Sequence, residues 1–271
     1  MEFSPNIIQK ISLILSLFPL YILSFSHLFI FSFSLFANHS KLKVIQFLSN
    51  HGKLEIETET PSWDPLFQLK VLVLSNYNLN KPTGNILKFL LIDQHELEVV
   101  AISHCELNGS FPIWLLENNT RLQLLNLQNN SFAGQFHLPL YHYMDLRWLD
   151  VSDNNFDGQL QENIRNMIPN LEYLNLSQNH FDGKFPAASI GDLSNLKKLD
   201  FSFNNFLGEL PMELFANCTS LDNLRLFNNS FYGEIFSKHF NLSLFYLGLS
   251  NNHFTGTLPV VPLRIWGGPR Y

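Results

Sequence analysis

The sequence predicts an α/β solenoid: a right-handed superhelix of short stacked repeats, with a parallel β-sheet along its concave face. The first observation is a recurring pattern of leucines and asparagine, seen for example in "NLEYLNLSQNHFDGKFP" at residues 170–186. The second is the interval between its copies, about 25 residues. The third is the composition, because 26 phenylalanines and a 46% hydrophobic content suffice for a continuous core. This spacing fits neither a long amphipathic helix nor a long alternating strand.

The repeated unit reads L-x-x-L-x-L-x-x-N-x-L/F-x-G. Full copies occupy residues 122–134, 146–158, 171–183, 196–208, 221–233 and 244–256, and weaker copies occupy 69–79 and 97–109. We call the position of the asparagine the asparagine slot; it holds Tyr77, Cys105, Asn130, Asn154, Asn179, Asn204, Asn229 and Asn252. Most intervals between slots are 24 or 25 residues, which is the period of leucine-rich repeats.

Each position of the unit has a physical role. The three leucines point inward from a short strand, and neighbouring repeats must stack to bury them. The slot asparagine can donate to and accept from backbone groups that the turn would otherwise leave unpaired. Cys105 is a small buried substitute with a weak S–H donor. The phenylalanines that follow the slot are predicted to stack into an aromatic spine: Phe132, Phe156, Phe181, Phe206, Phe231 and Phe254.

The repeat endings F/L-x-G-x-F/L/I-P resemble the plant-specific class of leucine-rich repeat. Stretches such as "LNGSFPIWLLENNTRLQLLNLQNNSFAGQFHLP" are similar to the ectodomain of plant receptor-like proteins, over roughly residues 36–259. These are cell-surface receptors that carry repeats but no kinase. The resemblance implies an extracellular module that recognises a peptide or protein ligand in defence or development and signals through a partner receptor kinase.

Two other functions stay open at this point: a secreted leucine-rich-repeat inhibitor of a pathogen wall-degrading enzyme, and a truncated gene product without function. Family members continue through more repeats, a cysteine-paired cap, a membrane span and a short tail. The sequence lacks these parts, which predicts an internal fragment of the ectodomain. The resemblance places the protein on the extracellular side of the cell membrane, reached through the secretory pathway, with secretion as the alternative.

The repeats divide the chain into four predicted parts. Residues 1–36 are hydrophobic, 37–66 form a degenerate repeat with an insertion, 67–259 hold eight repeats, and 260–271 are a non-repeat tail. Residues 11–36 contain no charged side chain, which suits either a signal or membrane anchor or a decayed repeat with Leu28 in the asparagine slot. Membrane association would require that anchor or a span elsewhere.

Several functional classes are disfavoured. A net charge of −6 gives no attraction to nucleic acid. The stretch "HELEV" at residues 95–99 lacks the second histidine of a zinc protease, and the sequence has neither a phosphate-binding glycine loop nor a nucleophile elbow. We therefore predict a protein that is not an enzyme, with no cofactor and no metal site. Cys105 and Cys218 lie four to five repeats apart, about 20 Å at the spacing of parallel strands, and should not form a disulfide.

Sequons for N-glycosylation are more frequent than random placement predicts, which favours a secretory-pathway glycoprotein, although the repeat grammar itself generates some of them. They occur at Asn38, Asn108, Asn118, Asn129, Asn175, Asn217, Asn228 and Asn241. Asn118, Asn217 and Asn241 are predicted to lie on the convex side or its turns, where a glycan is accommodated most easily.

The ligand-binding surface should lie on the concave sheet. There the neighbouring aromatic residues Trp148 and Tyr173, with Asp150, Asp200 and Arg225 around them, are predicted to form an exposed binding cluster. Phe203, Phe227 and Tyr246 form a second candidate group nearer the C-terminus. A neighbouring column with alternating charges is predicted to pair across the strands: Arg147, Glu172, Lys197 and Asp222.

Overall fold

The computed structural model describes residues 30–49, 55–57, 64–80, 88–186, 190–236 and 244–256. In chain order its strands are β1 (Ile30–Ser32), β2 (Val44–Leu48), β3 (Glu55–Glu57), β4 (Val71–Ser75), β5 (Asn78–Leu79), β6 (Val99–Ser103), β7 (Asn108–Gly109), β8 (Leu124–Asn126), β9 (Ser131–Gln135), β10 (Trp148–Asp150), β11 (Asn155–Gln159), β12 (Tyr173–Asn175), β13 (His180–Asp182), β14 (Lys198–Asp200), β15 (Leu207–Gly208), β16 (Asn223–Arg225), β17 (Ser230–Glu234), β18 (Tyr246–Gly248) and β19 (His253–Thr255).

The nine even-numbered strands, from β2 to β18, form one parallel sheet in sequence order. The longer strands β2, β4 and β6 each place two residues in the core, and each three-residue strand from β8 to β16 places its central residue there. Successive central residues are in register, as Leu149 is with Leu174 and Leu174 with Leu199. These three leucines are at most 2% exposed. The fold is the predicted solenoid, since each repeat buries its leucines only against its neighbours.

A second set of short strands follows the turn that ends each strand of the large sheet. These flank sheets have the orders β1-β3-β5, β7-β9-β11-β13 and β15-β17-β19. The predicted aromatic spine is confirmed between them, because consecutive spine rings stack with centroids 6.0 to 6.3 Å apart. Offset stacking of this kind adds to the burial of the rings.

The slot asparagines join adjacent repeats, as their amide chemistry predicts. The Asn154 Oδ1 atom accepts a hydrogen bond of 3.0 Å from the backbone N–H of Phe132, in the preceding repeat. Its Nδ2 atom donates to the carbonyls of Leu127, Val151 and Ser152 at 3.0 to 3.1 Å. Asn179, Asn204, Asn229 and Asn252 repeat this arrangement, and Asn130 does so with two N–H donors of the repeat containing Cys105.

Cys105 fills the slot as a buried thiol. Its Sγ atom lies 3.1 Å from the carbonyl oxygen of Ser103, to which the S–H can donate. Burial is the main reason that the pKa of Cys105 is raised to about 12, so the thiol stays neutral. Cys218 is also a free, buried cysteine, and the two do not form a disulfide, as predicted.

The residue immediately before each slot adopts a positive φ, a feature that the repeat pattern did not predict. In the repeat of Asn154 this residue is Asp153, with φ 54°. The full set of these residues is Asn76, His104, Asn129, Asp153, Gln178, Phe203, Asn228 and Asn251. Asn and Asp tolerate the left-handed region best among residues with a Cβ, which explains most of this set. His104, Gln178 and Phe203 are the exceptions, and Phe203 has the bulkiest side chain of the three.

Short helices complete some of the repeats. They are α1 (Lys88–Leu91), α2 (Ile113–Asn118), α3 (Ile164–Met167) and α4 (Met212–Asn217), with a 3-10 helix at Phe33–Phe36. Phe33 and Phe36 belong to the main core, so residues 30–36 of the hydrophobic segment are part of the solenoid. The remainder of that segment, with the predicted slot residue Leu28, lies outside the described residues, as does the tail at 260–271.

Candidate functional site

The concave face of the large sheet presents two columns of side chains on its first and third strand positions. In the C-terminal repeats the first column runs from Trp148 through Tyr173, Lys198 and Asn223 to Tyr246. The second column runs through Asp150, Asn175, Asp200, Arg225 and Gly248. The predicted binding residues Trp148, Tyr173, Asp150, Asp200, Arg225 and Tyr246 therefore do lie on one face, in register.

The prediction that Trp148 is exposed is wrong. Its ring stacks on that of Tyr173 with centroids 3.6 Å apart, and only 3% of the side chain is exposed. Trp148 belongs to an apolar strip on the concave face, made of Val44, Val71, Val73, Val99, Ala101, Leu124 and Trp148. The repeat pattern does not predict this strip, because the pattern specifies the leucines that face the core and leaves the residues between them open.

Asp150 is also buried, at 2% exposure, which corrects its predicted place on an exposed rim. Its carboxylate accepts hydrogen bonds from the backbone N–H and the hydroxyl of Ser152, from the Tyr173 hydroxyl and from the Asn175 amide. Burial raises the pKa of Asp150, and these hydrogen bonds oppose the rise. All of these hydrogen bonds lie within the chain, so the Asp150 carboxylate stabilises its own turn and its contact with the next strand.

The C-terminal half of the face is open to solvent and carries charge. The Arg225 guanidinium lies 3.6 Å from the Asp200 carboxylate and 5.0 Å from the centroid of the Tyr246 ring. Tyr246 is 41% exposed. Ser202 donates to Asp200 as Ser152 does to Asp150, and burial raises the pKa of Asp200. Arg225 thus presents a guanidinium that is already oriented by a carboxylate and a ring.

Two phenylalanines lie just beyond the ends of neighbouring strands, Phe203 after β14 and Phe227 after β16. The Phe203 and Phe227 rings meet edge to face, with centroids 5.2 Å apart and an angle of 88°. Phe203 is 48% exposed. Its φ is 53°, which is an unfavourable backbone conformation for a bulky residue. Gly248 leaves room for the rings of Phe227 and Tyr246, because a Cβ there would lie 3.0 Å from the first and 3.1 Å from the second.

These residues depart from the repeat pattern. In other repeats the position of Phe227 holds serine or glutamine, and the position of Arg225 often holds Asp or Asn. Phe203 stands where the other repeats place Asn, Asp, Gln or His. We define Phe203, Arg225, Phe227 and Tyr246 as the aromatic patch. Local departures from a rule that the rest of the chain obeys are expected at functional sites.

The predicted pairing of alternating charges across the strands is confirmed for three of its four members. Glu172 accepts from Arg147 at 3.1 Å and from Lys197 at 2.7 Å. Burial would raise the pKa of Glu172, but the hydrogen bonds and charges of Lys197 and Arg147 together lower it. These ion pairs stabilise the sheet modestly, and pairing across the strands is enough to account for the charged residues of the column.

The sequons fall in different environments. Asn217 and Asn118 end helices, and Asn217 is exposed while Asn118 is partly buried. Asn175 is partly buried on the concave face, where its Nδ2 atom donates to Asp150 and to the Tyr173 hydroxyl at 3.2 and 3.3 Å. Asn38, Asn108 and Asn129 are exposed, Asn228 is partly buried, and Asn241 lies outside the described residues. Glycan occupancy stays a prediction at every one of them.

The described residues contain no group of three or more His, Cys, Asp or Glu side chains placed to hold a metal ion. No helix in the described ranges has both the length and the apolar character needed to cross a membrane.

Comparisons with known proteins agree with this geometry. A model of the leucine-rich repeat family matches residues 145–167, 170–191 and 195–218. Receptor-like protein 13 and Receptor-like protein 1 of Arabidopsis thaliana are 44% and 43% identical to this chain over 141 residues, which is 52% of the chain and 12% of each relative. The chain thus spans a small part of these relatives' length.

Among solved structures, the ectodomain of the Arabidopsis receptor kinase HAESA, in complex with an N-terminally extended IDA peptide hormone, superposes with a TM-score of 0.72 at 28% identity. The match covers 88% of this chain and 38% of the HAESA ectodomain. The sequence-based resemblance is confirmed: the chain carries leucine-rich repeats and is similar to the plant receptor-like proteins.

Proposed function

We propose that this chain is a ligand-recognition module of a plant cell-surface receptor-like protein, and that the aromatic patch contacts a peptide or protein ligand. The observation that carries the proposal is the position of Phe203, Arg225 and Phe227. All three replace residues that the repeat uses elsewhere. Phe203 contacts Phe227, and Arg225 lies over the ring of Tyr246, which flanks Gly248 together with Phe227. The solved HAESA ectodomain, which holds a peptide hormone, supports a peptide as the ligand class.

The patch has the chemistry of an interface anchor. Phe203 and Tyr246 expose large ring surfaces whose burial by a partner would be favourable. Arg225 has a side chain that is 44% exposed, and Asp200 and Tyr246 hold it without covering it. A carboxylate of the ligand could therefore approach the free side of the guanidinium. A peptide with an apolar and an acidic side chain fits this arrangement best.

The corresponding experiment is a selection from a displayed random peptide library on the full chain. The comparison protein carries the repeat-type residues Phe203→Asn, Arg225→Asn and Phe227→Ser. We expect the unmodified chain to enrich peptides with apolar and acidic residues, and the triple variant to lose at least nine tenths of their binding. Peptides that bind both proteins equally would contradict the proposal.

A matched control uses the flank of the same solenoid. Tyr232 is 47% exposed on β17, outside the concave face. Tyr232→Ser removes an exposed ring without touching the patch, so selected peptides should bind this variant as they bind the unmodified chain.

Defence or developmental signalling, a partner receptor kinase and an extracellular location at the cell membrane are further parts of the proposal, and they rest on the similarity to the receptor-like proteins.

A further inference from the structure

Two polar side chains lie beside the aromatic patch on the open half of the concave face. Lys198 on β14 and Asn223 on β16 are directly opposite each other, in register between Tyr173 and Tyr246. Both are half-buried. Within the described ranges, no hydrogen bond or ion pair engages the Lys198 ammonium group or the side-chain amide of Asn223. A positive charge and an amide donor are therefore available on this surface.

The carboxylates around Lys198 are already engaged by other groups. Asp200 lies on the same strand and face, but its carboxylate accepts from the backbone N–H and the hydroxyl of Ser202. The Arg225 guanidinium lies 3.6 Å from the same carboxylate. Glu172, on the preceding repeat, accepts from the two cations of the neighbouring charged column. These contacts leave the charge of Lys198 for another anion.

The local charge of this surface is opposite to that of the whole chain. The net charge of the chain is −6. On the concave positions of β14, β16 and β18, however, two side chains are positive, Lys198 and Arg225, and one is negative, Asp200. Clustered charge of one sign raises the local concentration of ligands with the opposite sign. This part of the face should therefore attract an anionic group.

The spacing of these side chains matches that of an extended peptide. Asn223 is about 4.8 Å from Lys198 across the strands and about 6.6 Å from Arg225 along β16. Lys198 and Arg225 are thus about 8 Å apart on the diagonal. In an extended peptide, side chains at positions i and i+2 point the same way and lie about 6.6 to 6.8 Å apart. Two acidic side chains at this separation can reach both cations.

We propose that Lys198 and Asn223 form a second anion-binding subsite, which we call the polar subsite. This inference rests on the proposed function, because it extends the surface on which the aromatic patch lies. The ligand class is an extended peptide with two acidic side chains, at positions i and i+2. One carboxylate meets the free side of Arg225, and the other accepts from the Lys198 ammonium and the Asn223 amide. An apolar residue of the ligand packs on the rings of the patch.

The test begins with peptides selected from the displayed random library on the full chain. These peptides should carry two acidic residues separated by one residue. Binding of a synthetic selected peptide, measured by titration calorimetry, should weaken at least fivefold in Lys198→Gln and persist in Lys198→Arg. Lys184→Gln provides the matched control, because Lys184 is an exposed lysine on the flank and its loss changes the net charge equally. This control should change the affinity less than twofold. Equal affinities of Lys198→Gln and Lys184→Gln would overturn the proposal, and so would selected peptides with one acidic residue or none.

Peptides in which one acidic residue is replaced by its amide assign the contact. The form that lacks the acid at the polar subsite should bind Lys198→Gln and the unmodified chain equally. A further fivefold loss with both single-amide forms would overturn the direct contact, since the lysine would then act only through general charge. The triple variant of the aromatic patch separates the two proposals. Loss of binding in that variant without loss in Lys198→Gln refutes the polar subsite alone, whereas full binding by that variant refutes the proposed function. An unchanged circular dichroism spectrum reports that each variant is folded.

Discussion

Removal of one slot asparagine should destabilise the solenoid far more than removal of the exposed asparagine beside it. In Asn154→Ala, the backbone N–H of Phe132 loses its acceptor, and the carbonyls of Leu127, Val151 and Ser152 lose a donor. Asn154 is 6% exposed, so water cannot easily replace the amide. Asn155 is exposed and provides the matched control.

The magnitude follows from the number of bonds that the amide makes. One accepted bond and two N–H groups shared among three carbonyls correspond to a net loss of about 1 kcal/mol each, and unpaired buried groups add to it. We expect the free energy of unfolding to fall by about 3 to 5 kcal/mol in Asn154→Ala. Asn155→Ala should change it by less than about 0.5 kcal/mol.

Urea denaturation followed by circular dichroism measures both variants, and hydrogen exchange measures the amide of Phe132 directly. The Phe132 amide should lose protection in Asn154→Ala even under conditions where the remainder of the chain is folded, because its acceptor is the deleted Oδ1 atom. Equal stabilities of the two variants, or an unchanged exchange rate of this amide, would refute the account of the slot.

Three further predictions concern single side chains. In a Phe227→Ser background, which removes the ring contact, Phe203→Asn should raise the free energy of unfolding by about 1 kcal/mol, because the backbone strain at φ 53° is relieved; a loss in urea denaturation would contradict this. Glu172→Gln should cost about 0.5 to 1 kcal/mol at pH 7, and the cost should shrink as the pH falls through the folded pKa of Glu172: the lowered pKa means that the carboxylate stabilises the fold above its unfolded pKa and that this contribution is lost in acid, so a difference between denaturation curves that does not shrink with falling pH would exclude the ion pairs as the cause. After expression in plant cells, peptide mapping should find glycan on exposed Asn217 and none on Asn175, whose amide donates within the concave face; the reverse occupancy would be the contrary result.

The sequence predicted the solenoid because its rule is local and repeated. Each leucine has the same environment in every repeat, and each slot asparagine has the same backbone partners, so spacing alone identified the core, the slots and the spine. The positive φ before each slot also has a signal in the sequence, which is the excess of Asn and Asp at that position.

The candidate site was predicted only in part, because the exposure of a side chain on the concave face depends on the side chains that pack around it. The pattern placed Trp148 and Asp150 correctly on that face, but it could not show that the apolar residues of β2 to β8 continue into Trp148 and share its burial. Nor did it show that Asp150 is occupied by Ser152, Tyr173 and Asn175. Where the pattern breaks, at Phe203 and Phe227, the sequence did indicate residues that the structure brings into contact.

The most direct test of the central claim is a hydrogen-exchange footprint of a library-selected peptide bound to the full chain. If the aromatic patch is the binding surface, backbone amides of residues 202–205 and 225–228 should gain protection when the peptide binds, and those of 131–135 on the flank should not. Protection confined to the flank, or none at 202–205 and 225–228 at a saturating peptide concentration, would contradict the claim that this chain recognises its ligand through the patch.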